Sequence, residues 1–135
     1  MMTKIELLKN HHHKLRFLME EMIDPYCDVT KGLRLVEELK NDLHIHKEIR
    51  RSCFYPMSEA TIQKVDLPYR DAQKEVQLLL ERLEQLKANS PMWKVIALSL
   101  KERIVSILEE EEDKLYHMVM TDPTPFFKIG QNRAI

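Results

Sequence analysis

Residues 36–53 read VEELKNDLHIHKEIRRSC, and the character of their side chains repeats at steps of three and four residues. This spacing places one row of side chains on a single face, which predicts an amphipathic helix. His46 and Arg50 occupy places in the row where an apolar residue is expected, and burying such polar groups requires a partner or a ligand. The inward row comprises Val36, Leu39, Leu43, His46, Arg50 and Cys53.

Three other segments show the same periodicity, so the chain is predicted to contain four helices. The first runs from Lys4 to Ile23 and stops at Asp24-Pro25, because the residue before a proline is pushed out of the helical region. The second is expected to start near Thr30 and to end before Pro56. The inward row of the first helix is Ile5, Leu8, His12, Leu15, Met19 and Met22.

The third and fourth helices are predicted from proline signals at their starts. A polar connection over residues 57–66 is expected to end at Asp66, which together with Pro68 would cap and open the third helix. Ser90-Pro91 is a capping hydroxyl followed by a proline whose missing N–H costs nothing in the first turn. The third inward row is Tyr69, Gln73, Val76, Leu80, Leu83 and Leu86. The fourth is Trp93, Ala97, Leu100, Ile104, Ile107, Glu111, Leu115 and Met118.

The length and composition indicate one helical domain. The chain has 135 residues, of which 44% are apolar and 32% charged, and it contains two glycines. This mixture is typical of a globular protein, and the scarcity of glycine favours helices over a turn-rich β fold. Four amphipathic helices joined by short links bury their apolar stripes most simply as an all-α, up-down-up-down four-helix bundle. We expect the bundle to span residues 1–120 and an irregular tail to span 121–135.

Several classes of function are disfavoured by the sequence. The net charge of −1 gives no reason to expect nucleic acid or an anionic membrane as a partner. The absence of a long apolar run predicts neither a secretory signal nor a membrane span, so a cytoplasmic location is the expectation. Cys27 and Cys53 fit no zinc or redox spacing. Because nucleophile motifs and glycine-rich phosphate loops are also missing, we predict that the protein is not an enzyme.

The candidate functional residues are three polar groups on the inward rows: His12, His46 and Glu111. Glu111 belongs to the acidic run 109–113, where it shares the register of the inward row, and Glu112 is the alternative one position further round. The run His11-His12-His13 cannot converge on one ion, since consecutive helical positions point about 100° apart, and we expect His12 to be its inward member.

The segment from Leu43 to Pro56, LHIHKEIRRSCFYP, resembles the second-helix signature of hemerythrin-like proteins, the HHE cation-binding domain family. In that signature a ligand His is followed four residues later by a ligand Glu and then by a Phe-Tyr-Pro ending. The stretch LLKNHH over residues 7–12 is similar to the family's first helix, and the chain from Ser90 to Tyr116 is similar to its last. The resemblance implies a four-helix bundle that holds two iron ions between its helices.

Position by position, the resemblance matches the ligand histidines at His12 and His46. Four residues after His46, Arg50 replaces the bridging Glu, and a guanidinium has no lone pair to donate to iron. The third-helix His falls on Gln73, or on Val76 if the register differs by one turn, and the fourth-helix His falls on Ile107. The following acid is Glu111 or Glu112. Most of the family's di-iron ligands are therefore absent.

The replacement of the bridging Glu by Arg50 suggests a core without a cation. An unpaired guanidinium on the inward face costs several kcal/mol in desolvation, so it requires a partner. Our hypothesis is that Arg50 stands in the place of the metal charge and forms a bidentate pair with Glu111, with Gln73 and His46 completing the hydrogen bonds.

Three functions remain open at this point. The first is a hemerythrin-like domain with a degenerate di-iron site, acting as a non-catalytic structural, sensory or partner-binding module without a cofactor. The second is an iron protein that uses His12, His46 and Glu111 as a facial triad for oxygen or nitric oxide sensing or handling. The third is an interaction protein, as a homodimer or with an unknown protein partner, for which the apolar pair Phe126-Phe127 could dock in a groove.

Overall fold

The protein is a bundle of four helices in a computed structural model that describes residues 3–53 and 59–115. Each helix packs against two others, which confirms the predicted all-α four-helix bundle. The predicted tail over 121–135 with its Phe126-Phe127 pair, and the Phe54-Tyr55-Pro56 ending, lie outside the described residues. The helices are α1 (Lys4–Ile23), α2 (Val29–Cys53), α3 (Glu59–Glu84) and α4 (Pro91–Glu110), and α4 continues into a π-helical turn, Glu111–Leu115.

Helix α1 has the predicted limits because both of its ends carry strong local signals. Thr3 caps the N-terminus: its Oγ1 accepts from the backbone N–H of Glu6 at 3.2 Å, and the Glu6 carboxylate accepts from the backbone N–H of Thr3 at 3.1 Å. This reciprocal capping box satisfies two N–H groups that otherwise lack helical partners. At the other end, Asp24 precedes Pro25 and leaves the helical region, with ψ of 131°.

The α1–α2 connection is held to α4 by one lysine. Lys94 Nζ lies 2.8 Å from the carbonyl oxygen of Asp24, 3.4 Å from that of Cys27 and 3.5 Å from that of Met22. Carbonyl groups at the end of a helix have no intrahelical donor, so a cation that reaches them stabilises the helix terminus. Asp28 then starts α2 by accepting from the backbone N–H of Lys31 at 2.8 Å.

The predicted start of the third helix is wrong. Helix α3 begins at Glu59, and Pro68 lies inside it rather than at its opening. A proline in a helix interior removes one backbone hydrogen bond and crowds the carbonyl four residues earlier, so Pro68 favours a helix start in the sequence pattern. Here the helix continues through the proline, and the side chain of Pro68 is exposed.

The core is apolar at one end of the bundle and polar towards the end where α4 gives way to the π-helical turn. Trp93, in the first turn of α4, is almost fully buried. Cys27 is buried in the same apolar cluster, and burial raises the pKa of its thiol. None of the helices in the described ranges combines the length and the apolar character needed to cross a bilayer. The buried polar or charged residues of the described ranges are His12, Asp42, His46, Arg50 and Glu111.

Gly32 allows α2 to approach the α3–α4 connection closely. A Cβ at this position would lie 2.5 Å from Ala88 Cβ and 3.4 Å from the Trp93 ring. We expect Gly32→Ala to lower the free energy of unfolding by about 1–3 kcal/mol through overpacking, despite the better helix propensity of alanine. Urea denaturation measures this change.

The matched control for Gly32→Ala is the double variant Gly32→Ala/Ala88→Gly, which removes the Cβ that the new methyl group meets. Because the clash disappears, the double variant should be more stable than the single one. A single variant as stable as the wild type would contradict the close approach.

Candidate polar site in the bundle core

Four buried side chains from three elements meet in the bundle core. His12 comes from α1, His46 and Arg50 come from α2, and Glu111 is the first residue of the π-helical turn after α4. None of the four is more than 3% exposed. His46 and Arg50 are four residues apart on one helix face, so α2 presents both to the same part of the core.

Glu111 is the centre of the group, since its two oxygens accept from three different side chains. Oε1 lies 2.7 Å from His12 Nε2 and 2.6 Å from His46 Nε2, and Oε2 accepts from Arg50 Nη1 at 2.5 Å. Burial alone would raise the pKa of Glu111, but the hydrogen bonds from the histidines and the charge of Arg50 hold it far below the usual range. The carboxylate is therefore ionised in the core.

A second carboxylate, Glu112, completes the group at its half-buried edge. Its Oε2 lies 2.8 Å from His12 Nδ1, and Arg16 binds it in bidentate fashion, with Nη1 2.6 Å from Oε2 and Nη2 2.9 Å from Oε1. The Arg16 hydrogen bonds, aided by His12, hold the pKa of Glu112 below its usual value. Arg16 is a site residue that the sequence pattern does not single out, although it lies four residues after His12 and so shares its helix face.

His12 lies between the two carboxylates. Carboxylate oxygens only accept hydrogen bonds, and each ring nitrogen of His12 faces one: Nε2 faces Glu111 and Nδ1 faces Glu112. Two fixed cations, Arg16 and Arg50, face the two carboxylates. We call the six residues His12, Arg16, His46, Arg50, Glu111 and Glu112 the ion network.

Arg50 also contacts the face of an aromatic ring. Its guanidinium carbon lies 3.9 Å from the ring centroid of Tyr69, a buried residue of α3. A cation over a tyrosine face is attracted by the negative face of the ring, and the attraction is stronger where water is excluded. Arg50 is thus held by Glu111 on α4's side of the core and by Tyr69 on α3's side.

Gln73, Val76 and Ile107 lie beside the ion network rather than in it. Gln73 is half-buried, Val76 and Ile107 are buried, and all three line a cavity that also touches His46. Within the described ranges, the Gln73 side chain has no hydrogen bond to Glu111 or Arg50. The structure therefore brings together His12, His46, Arg50 and Glu111, and it places Gln73 outside their contacts. The predicted bidentate pair is a single hydrogen bond, because Glu111 Oε2 accepts from Arg50 while Oε1 faces the two histidines.

His11 has a different environment from the one expected. Instead of pointing to solvent it is half-buried, and its ring stacks on His46 with centroids 5.8 Å apart. Neither ring nitrogen of His11 has a hydrogen-bond partner among the described residues. Oδ2 of the buried Asp42 also has no partner among them, while its Oδ1 lies 3.1 Å from Lys14 Nζ. Burial, together with the electrostatic interaction with His46, lowers the pKa of His11 to about 4.

The donor set fits one metal ion better than two. The ligand atoms of His12, His46 and Glu111 lie within 4.8 Å of one another, and two imidazoles with one carboxylate suit a single divalent transition metal. A two-ion site does not fit, because this is the one group of three potential ligands in the described ranges and the neighbouring Arg50 has no lone pair to donate. His46 Nε2 and His12 Nε2 lie 2.6 and 2.7 Å from Glu111 Oε1, which are hydrogen-bond distances. Two ligand atoms bound to one ion at about 2.1 Å lie roughly 3.0–3.4 Å apart, so the atoms are closer together than they would be around an ion.

No protein-family model, curated protein or solved structure matches this chain.

Proposed function

We propose that the chain is a hemerythrin-like domain that has lost most of its di-iron ligands and serves as a non-catalytic structural, sensory or partner-binding module. The observation that carries this proposal is the contact between Arg50 and Glu111, 2.5 Å apart in the bundle core. A fixed positive charge occupies the position where a metal-binding bundle would need a ligand.

The charges of the ion network argue against a resident cation. Arg50 cannot be deprotonated in a protein, and a dication next to it would be repelled in a medium of low dielectric constant. Glu111 already has three donors, so a metal could bind only by displacing hydrogen bonds that are in place. The bundle is thus expected to fold without metal.

Chelation tests this expectation. Dialysis against a strong chelator should leave the helical circular dichroism and the unfolding midpoint unchanged, because no ion contributes to folding. His44→Ala, which removes an exposed histidine outside the ion network, is the control for nonspecific metal binding. A chelator-induced loss of structure that added iron reverses would contradict the proposal.

A second candidate is a single-iron protein for oxygen or nitric oxide sensing or handling. The observation that favours it is the position of His12 between two carboxylates, with Nδ1 facing Glu112 and Nε2 facing Glu111. A carboxylate on the far ring nitrogen is the usual arrangement around a metal-bound histidine, and Arg16 fixes that carboxylate. His12, His46 and Glu111 would hold the ion, which would supply open coordination positions for a diatomic ligand.

Anaerobic addition of ferrous iron, followed by nitric oxide, separates the two candidates. If the protein binds a single iron, the wild type should develop a saturable visible absorption that His46→Ala abolishes and His44→Ala retains. If the favoured proposal is correct, neither the wild type nor either variant should develop this absorption.

A further inference from the structure

A cavity of about 300 Å³ lies between α2 and α3, next to His46. Its volume is at the lower end of the range found for small-molecule sites. The floor is formed by buried apolar side chains from α1, α3 and α4. These side chains are Leu15, Val76, Leu80, Ile104, Ile107 and Leu108.

The rim of the cavity is polar and basic. Lys40, His44 and Lys47 lie along α2, and Gln77 faces them from α3. Lys40 is already paired, with its Nζ 3.1 Å from Glu84 and 3.7 Å from Glu37. Lys47 is exposed and has no carboxylate partner within the described ranges, so it leaves one uncompensated positive charge at the opening.

The inner wall offers a hydrogen-bonding group that no described side chain engages. The half-buried amide of Gln73 lines the cavity and has no hydrogen-bond partner among the described side chains. An amide can donate and accept, so it suits a polar substituent of a ligand without requiring one charge state. The cavity thus combines an apolar floor with an amide and a cation that have no partner within the described ranges.

We propose that this cavity binds a small amphipathic monoanion, an aliphatic carboxylate of medium length, with its apolar body on the floor and its carboxylate near Lys47. The volume accommodates about ten non-hydrogen atoms at the packing density of a protein interior. Burial of the chain supplies most of the affinity, at about fourfold per methylene group. The exposed Lys47 selects the sign of the charge and adds at most about fivefold.

Binding at this cavity is separate from the state of the ion network. The two share His46 but no other lining residue, and the proposal involves no metal. A chain that contains iron could still bind the carboxylate, and an iron-free chain could fail to bind it. Iron analysis of the same preparation therefore distinguishes failure of this inference from failure of the proposed function.

The test is titration of the full chain with octanoate, 1-octanol and octylammonium, followed by calorimetry. We expect saturable binding of octanoate, weaker binding of 1-octanol and the weakest binding of octylammonium. Shortening the carboxylate to hexanoate should weaken binding by roughly tenfold or more. No saturable binding of octanoate, or binding of either other probe as tightly as octanoate, would overturn the proposal.

Blocking variants locate the site. Leu43→Trp fills the cavity from a half-buried lining position and should abolish octanoate binding, whereas Leu33→Trp, at an exposed position of the same helix, should retain it. If Leu43→Trp does not fold, Gln77→Trp at the exposed rim takes its place. Lys47→Gln should remove the preference for octanoate over 1-octanol. Unchanged octanoate binding in a folded blocking variant would contradict the assignment.

Discussion

Arg50→Met is expected to lower the free energy of unfolding by about 3–5 kcal/mol, the cost of leaving one partner of a buried ion pair without the other. Arg50 is 3% exposed and Glu111 is 1% exposed, so water cannot replace the lost donor. The variant also loses the contact of the guanidinium with the Tyr69 ring. Urea denaturation followed by circular dichroism measures the change.

The double variant Arg50→Met/Glu111→Met separates the charge effect from the loss of side-chain volume. Replacing both partners of a buried pair by apolar residues is often close to neutral, so the double variant should recover about 2 kcal/mol or more. Arg51→Met, at the exposed neighbouring position, should change stability by less than about 0.5 kcal/mol. A single Arg50→Met variant as stable as Arg51→Met would contradict the role of this pair.

Acidification is expected to destabilise the protein in two steps. The pKa of His11 in the folded protein is lowered to about 4, so the unfolded chain binds a proton at this histidine at a higher pH than the folded chain does. The free energy of unfolding therefore falls as pH drops from about 6.5 to 4. The pKa of Glu111 lies far below its usual range, so its contribution is complete at neutral pH and is lost below about pH 4–5.

Protonation of Glu111 should lower the free energy of unfolding by about 2 kcal/mol between pH 6 and pH 3, in addition to the loss shown by a chain without this carboxylate. Urea unfolding at several pH values measures it. Arg50→Met/Glu111→Met should keep the loss of stability between pH 6.5 and 4 and show a smaller loss below it, while Glu109→Gln, at an exposed position, should show both losses in full. Equal acid sensitivity of the double variant and the wild type below pH 4 would exclude Glu111 as the source.

The limits of the helices could be predicted where the local sequence carries a complete signal. Thr3 with Glu6, and Asp24 with Pro25, define α1 by hydrogen bonding and backbone sterics within a few residues. The start of α3 could not be found in the same way, because Pro68 gives a start signal that the rest of the helix overrides. Local propensity is a weak guide wherever a helix continues through an unfavourable residue.

The candidate site was predictable to the extent that helical periodicity reports which side chains face inward. Periodicity placed His12, His46, Arg50 and Glu111 in one core, and the structure brings them into contact. It could not identify the Arg16–Glu112 pair. That pair depends on how α1 and the π-helical turn lie against each other.

Periodicity could not place the two other polar groups either. His11 packs on His46 across the α1–α2 interface, and Gln73 lies at the cavity wall. A one-dimensional pattern gives the face of a helix but not the rotation and separation of the helices that meet there.

Iron content of the freshly purified native protein tests most directly whether Arg50 occupies the place of a metal. It should be measured beside an Arg50→Glu variant, which offers a carboxylate next to Glu111 and two histidines. We predict iron far below one ion per chain in the native protein and a marked gain in the variant. Stoichiometric iron in the native protein, held by His12, His46 and Glu111, would contradict a core stabilised by Arg50 in place of a cation.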